Sequence, residues 1–109
     1  YRSTGDPRGR FVWGNTALLN ILGYQSISDL RDVPVAEIFN QPDGRRELID
    51  DLRRNRFVKN RILDLKKPDG TLFSVNVTAL AEFDEDGNVV FINGIVQDIS
   101  HIVLQNSNR

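Results

Sequence analysis

The sequence predicts a small α+β domain, with helices in its first half and an antiparallel meander closing the chain. Two Asp-Gly turns, Pro68-Asp69-Gly70-Thr71 and Glu85-Asp86-Gly87-Asn88, separate three β-rich runs, and Asp-Gly between such runs is the strongest short-range hairpin signal in a single sequence. Upstream, residues 42–55 set Leu48, Ile49 and Leu52 on one helical stripe and charges opposite. The length of 109 residues fits one domain.

The elements follow in order. Tyr1-Arg2-Ser3-Thr4 reads as the stub of a strand pairing with Phe11-Val12-Trp13 across the turn-rich Gly5-Asp6-Pro7-Arg8-Gly9. Asn15 has the side chain of a helix N-cap. Ala17, Leu18, Ile21 and Leu22 then form one stripe, and Gly23 stands at the left-handed stop, which predicts a helix over 16–22 with Tyr24 folding back on Leu19. Ser26 caps a second short turn with Asp29 three residues on. Pro34 opens a third short piece that carries Val35, Ile38 and Phe39 inward. The long helix is expected to pair Arg46 with Asp50 and Asp50 with Arg54, four apart, and to end on basic Arg53 and Arg54 as its dipole prefers. Strands follow over 57–65, 72–83 and 89–99. In the middle one, Phe73, Val75, Val77, Ala79 and Ala81 alternate with Ser74, Asn76 and Thr78.

Composition prunes the function classes. Fourteen basic residues against 15 acidic leave a net charge of −1, with no general pull toward nucleic acid or anionic lipid. The chain has no cysteine, which removes disulfides, thiolate metal sites and any cysteinyl nucleophile or adduct. A single histidine removes multi-histidine metal motifs. No apolar run approaches ~18 residues, so no membrane span or leader is expected. The cluster Arg45, Arg46, Arg53, Arg54, Arg56, Lys59 and Arg61 is interleaved with Glu47, Asp50 and Asp51 and reads as a solvated face. Asp84, Glu85 and Asp86 sit in a hairpin turn and serve its chemistry, so no catalysis is expected there.

Several segments, in register, carry a resemblance. Gly9-Arg10-Phe11-Val12-Trp13-Gly14-Asn15 is similar to a strand ending in a helix-capping Asn. Ala17 through Ile21-Leu22-Gly23-Tyr24 matches an "A…L.GY" helix, followed by the "S..DL" turn Ser26–Leu30. Pro42-Asp43-Gly44-Arg45 resembles an "hP.dR" helix opening, with Asn40 where histidine is common. Val58-Lys59-Asn60 to Gly70-Thr71 looks like "v.N…l.rkDGt", with Ile62 where glutamate is frequent. Asp86-Gly87 and Gly94 to Asp98-Ile99-Ser100 match "dG" and "G…DIT". From about residue 9 to residue 100, the chain resembles a PAS domain of the bacterial type with a C-terminal PAC segment.

The resemblance implies a five-stranded antiparallel sheet with short helices and one longer helix on one face, the first strand shortened at the chain's start. It implies a sensor domain over 1–100, with 101–109 beginning an exit helix or linker toward an effector domain. The implied setting is a cytoplasmic domain of a sensor kinase, cyclase or regulator, itself no enzyme, forming a homodimer and touching neither membrane nor nucleic acid. A ligand pocket would be lined by Val12, Gly14, Leu18, Ile38, Phe39, Leu48, Leu52, Leu63, Leu65, Val75 and Val77. These are nearly all apolar and supply few groups to fix a specific ligand. Phe11 and Trp13 are expected on the outer sheet face, as dimer contacts. Asp98, Ile99 and Ser100 would relay the pocket's state, and Ile99, Ile102 and Val103 could begin an apolar seam with a second copy. Absence of cysteine excludes cysteine-linked flavin, and absence of histidine from 42–55 argues against haem, with His101 read as a linker residue. Non-covalent flavin and an organic acid stay open as ligands. So does a ligand-free interaction module.

Overall fold

The computed structural model describes residues 1–41 and 43–99. In chain order these form β1 (Arg2–Thr4), β2 (Phe11–Trp13), α1 (Thr16–Leu22), α2 (Ile27–Arg31), a 3-10 turn (Val35–Ile38), α3 (Gly44–Asn55), β3 (Phe57–Lys66), β4 (Leu72–Phe83) and β5 (Val89–Asp98). The strands make one antiparallel sheet in the order β2-β1-β5-β4-β3. The early β1 thus enters between β2 and the last strand, and joins the two halves of the chain.

Local chemistry sets the helix ends. Asn15 accepts the Leu18 N–H at 3.0 Å, and Gly23, at φ 85°, turns the chain so that its N–H and that of Tyr24 both reach Leu19 O at 2.9 Å. Ser26 caps α2 through the Asp29 N–H at 3.2 Å. In α3 the expected four-residue ion pairs give way to three-residue ones, Asp43–Arg46 at 3.1 Å and Asp50–Arg53 at 3.7 Å. Asp51 pairs with both Arg54 and Arg61, tying α3 to β3. With Asp51 already on Arg54, Asp50 closes on Arg53.

Alternation on β4 is strict. Phe73, Val75, Val77 and Ala79 are buried beneath the helices, while Leu72, Thr78, Leu80 and Glu82 face outward. The core they share with Leu30, Leu48, Ile49 and Leu52 is one continuous cluster. The Asp-Gly turns form as expected. Asp69 accepts the Thr71 N–H, and Asp84 accepts those of Asp86 and Asn88, each at 2.9 Å. Those N–H groups of Asn88 and Asp86, with the Asn88 side chain, hold the exposed Asp84 carboxyl below its ordinary range.

Candidate functional site

Between sheet and helices lies a cavity of about 40 Å³, lined among others by Leu18, Leu22, Val35, Ile38, Phe39, Leu48, Leu63, Leu65, Val77 and Val96. Of the residues predicted to surround a ligand, Leu18, Ile38, Phe39, Leu48, Leu63, Leu65 and Val77 meet here. Leu52 and Val75 are fully buried but pack behind the wall rather than lining it. Val12 is half-buried on the edge strand, and Gly14 backs onto the Leu18 side chain of α1; neither reaches the cavity. Asn60 and Asn76 do not reach it either. They join each other on the outer face at 3.2 Å, where β3 bulges and Asn60 takes φ 53°.

Phe11 corrects the sequence reading. Strict alternation puts Phe11 and Trp13 on one face, but the β1–β2 register pairs Ser3 with Phe11 and Arg2 with Trp13, so β2 carries one residue more than its partner. The bulge separates the two aromatics. Phe11 turns inward, 7% exposed, with its ring edge-on to Tyr1 at 5.7 Å. Trp13 stays outside with Arg2, 56% exposed.

A second correction concerns Arg45. Placed by sequence on a solvated face, it is 3% exposed and lines the cavity. Its Nε donates to Pro7 O at 3.2 Å, and its Nη2 donates to Thr4 O at 2.8 Å and Asp6 O at 3.0 Å. One guanidinium thereby ties α3 to the whole β1–β2 turn. Gly9, at φ 72°, lies flat against it; a Cβ there would come within 2.3 Å of Nη2. Burial pulls the Arg45 guanidinium below its ordinary value, opposed by Asp6 and Tyr1. Beside it the Tyr1 phenol is pushed up to about 12 by burial, a rise that the Arg45 charge partly offsets. With Arg45 interior and Arg46, Arg53, Arg54 and Arg61 each on a carboxylate, little of the basic cluster is left as an open cationic surface. The signal for Arg45 was present in the sequence: positions 45, 48, 49 and 52 have the i, i+3, i+4, i+7 spacing of a buried stripe.

The outer face of the sheet holds the other notable surface. Phe57 lies across from Leu80, and Thr78 across from Ile95, so Phe57, Leu80 and Ile95 are close neighbours on adjacent strands. Leu80 is 62% exposed, Ile95 73%, and Ile62 and Leu72 also lie open on this face. Around them charges alternate in sign: Arg2, held at 2.6 Å by Glu82 and stacked 4.0 Å over Phe91, then Asp64 and Lys66. At the far end of β5 Asp98 is exposed beside Val75, and the Ile99 N–H donates to Ser74 O at 3.1 Å. Ser100 and the tail 101–109, assigned to relay and exit, lie outside the described residues, as does Pro42 of the helix-opening motif.

Among the described residues no group of three His, Asp or Glu is placed to hold a metal, and no helix is long and apolar enough to cross a membrane. Comparison with solved structures returns the same architecture repeatedly. A PAS domain from Colwellia psychrerythraea matches with a TM-score of 0.73 at 18% identity, over 92% of this chain and 86% of that one. A sensory box histidine kinase/response regulator from Burkholderia thailandensis matches at 0.70 and 12% identity, over 98% and 81%. A light-oxygen-voltage domain studied with a flavin analogue matches at 0.68 and 20% identity, over 98% and 84%. Likeness at these identities speaks for the fold. No curated protein sequence matches the chain. The family profile described as PAS domain matches residues 4–101, nearly the whole chain, and the chain therefore belongs to the PAS domain family.

Proposed function

We propose that this sensory domain works in pairs, two copies meeting through the outer sheet face, with the end of β5 passing the state of the pair to an effector in the same longer protein. The observation that carries the proposal is the open apolar face of Trp13, Phe57, Ile62, Leu80 and Ile95. An exposed face of this kind on an otherwise well-packed domain marks a contact surface. A second copy suits it because the rim carries both signs, Arg2 with Glu82 and Lys66 with Asp64, so the face does not repel itself. The setting is a cytoplasmic signalling protein of the two-component kind, or a cyclase or regulator.

The interior supports this over large-ligand sensing. A drug-sized ligand fills a pocket of roughly 300 Å³ or more, against about 40 Å³ here. The wall of leucine, isoleucine and phenylalanine side chains does not fit a flavin ring system, and the sequence has no cysteine to bond one. Haem finds no histidine on α3.

The experiment is sedimentation equilibrium on the wild type and on Trp13→Ala. Trp13 is exposed, so its loss should weaken self-association about tenfold, the effect of a moderate hot spot, while moving Tm by no more than about 2 °C. A collapse in Tm with the dimer intact would place Trp13 in the monomer's stability instead. For the relay, Asp98→Ala in the longer protein should leave the far-UV spectrum and self-association unchanged and uncouple effector output from stimulus. Unchanged output would remove the junction from the mechanism.

A further inference from the structure

The sheet ends on β2 at one edge and on β3 at the other. The β2 edge and the turn before it are closed. Arg31 Nη2 donates to Val12 O at 2.9 Å, and the Val35 and Ala36 N–H groups donate to Gly9 O and Arg8 O. Along β3 the chain supplies its own partner where Phe39 bridges Leu65 antiparallel and the Asn40 N–H donates to Asp64 O at 3.0 Å. That bond shows the Asp64 carbonyl turned away from β4. Pairing with β4 is regular from Arg61 to Lys66, so the Ile62 N–H and C=O turn the same way, and no described residue meets them. The chain leaves this lane after Asn40 to enter α3.

Beyond Asn40 the lane is a groove of about 180 Å³, lined among others by Phe39, Gln41, Gly44, Glu47, Ile62 and Asp64. The bulge at Asn60, with φ 53°, ends it upstream, so pairing is confined to the stretch around Ile62. The charge of this groove is one-sided. Arg61 is spent on Asp51, and neither Lys59 nor Lys66 is part of the lining. Glu47 and Asp64 are exposed there, and neither makes an ion pair with any described residue. Asp64 accepts from the Ser74 hydroxyl at 2.9 Å on the outer face, whereas Glu47 projects from α3 on the helix side. An open stretch of strand backbone thus lies between two unneutralised carboxylates.

We propose that an extended segment of a partner protein, carrying two adjacent basic residues, adds a short strand at this edge. One residue of the segment exchanges both backbone hydrogen bonds with Ile62, as opposed residues of an antiparallel pair do. Successive side chains of a strand point to opposite faces. Of two neighbouring lysines or arginines, one therefore reaches Glu47 on the helix side and the other Asp64 on the outer face. The backbone bonds set the register, and the two charge pairs select the segment. The Ile62 side chain belongs to the outer face but its backbone groups belong to the edge, so this contact is separate from the pairing of two copies.

The test is an NMR titration of the 109-residue chain with the peptide acetyl-Thr-Val-Lys-Lys-Val-Thr-amide, followed at the backbone amides. The same peptide with glutamates for lysines is the charge control, and the lysine peptide N-methylated at both lysine backbone nitrogens is the hydrogen-bond control. The lysine peptide should saturate with a Kd on the order of 0.1 mM and move the Ile62 and Leu63 amides furthest. At about ten times its Kd it should slow exchange of the Ile62 N–H about tenfold. Both control peptides should bind at least about tenfold more weakly. Glu47→Gln and Asp64→Asn, at exposed positions, should each weaken the lysine peptide about threefold with Tm unchanged. Equal binding of the N-methylated peptide would overturn strand addition and leave charge attraction alone. Equal binding of the glutamate peptide, or no saturation by the lysine peptide, would overturn the site outright. Ile62 shifts that grow with protein concentration in a Leu80→Glu variant, its outer face blocked, would give the edge to a second copy and overturn the proposal too. The outer-face reading survives each of these failures, because sedimentation measures it separately.

Discussion

Arg45→Met should lower Tm by about 10 °C, the largest effect of any single substitution at a charged position in this chain. Methionine keeps most of the volume and helix propensity but none of the donors. Three carbonyls, of Thr4, Asp6 and Pro7, lose the guanidinium that gathers them. Hydrogen bonds to a charged group contribute about 1.5 to 3 kcal/mol each, part of which is offset by the desolvation that arginine no longer suffers and by water reaching the exposed turn. A net loss of about 2 to 3 kcal/mol results, and for a domain of this size that is about 10 °C. The damage should be local first. Val35 and Ala36 donate to Gly9 O and Arg8 O at 3.0 and 2.9 Å, and their amides should exchange faster once the turn loosens. Arg45→Lys should recover less than half, since an ammonium cannot fork across three acceptors spread over four residues. A Tm within about 2 °C of wild type for Arg45→Met would show that the backbone contacts alone hold the turn.

How much of this could be read without coordinates follows from the kind of interaction involved. α1 was legible to the residue because its start, Asn15, and its stop, Gly23, act through their own side chain or backbone freedom. The meander was legible for the same reason: Asp69-Gly70 and Asp86-Gly87 are local turn signals, and the β4 alternation needs no knowledge of partners. The family resemblance supplied the five antiparallel strands but not their order, since no local rule sends β1 between β2 and β5. Phe11 was misplaced because a bulge belongs to a pair of strands, and one strand's alternation cannot reveal it. Arg45 was misread because its charge outweighed its spacing. Only the gathered carbonyls, contributed by residues about 40 positions earlier, make that burial affordable. Ser3 lies on a three-residue strand and Tyr1 just before it, a stretch too short to show a period.

The second large effect concerns the outer face. Leu80 sits in the last third of β4, flanked by Phe57 on one side and Asn93 on the other, with Ile95 diagonal to it. In a paired assembly Leu80→Glu buries a carboxylate among Phe57 and Ile95, and Arg2, a cation of the same face, is already held by Glu82. An unpaired charge at such a contact costs several kcal/mol, enough to weaken association by a hundredfold or more. In the monomer Leu80 is 62% exposed, so the same substitution should leave stability within about 0.5 kcal/mol of wild type. Arg45→Met is its complement, lowering Tm while leaving the outer face intact. The two variants therefore separate folding from association.

Sedimentation equilibrium of the wild type beside Leu80→Glu, over a range of protein concentrations, tests the central claim most directly. Wild type should approach twice the chain mass as concentration rises, whereas Leu80→Glu should stay at a single chain mass with an unchanged melting curve. A wild type that remains monomeric throughout, or a Leu80→Glu variant that pairs as well as wild type, would contradict it.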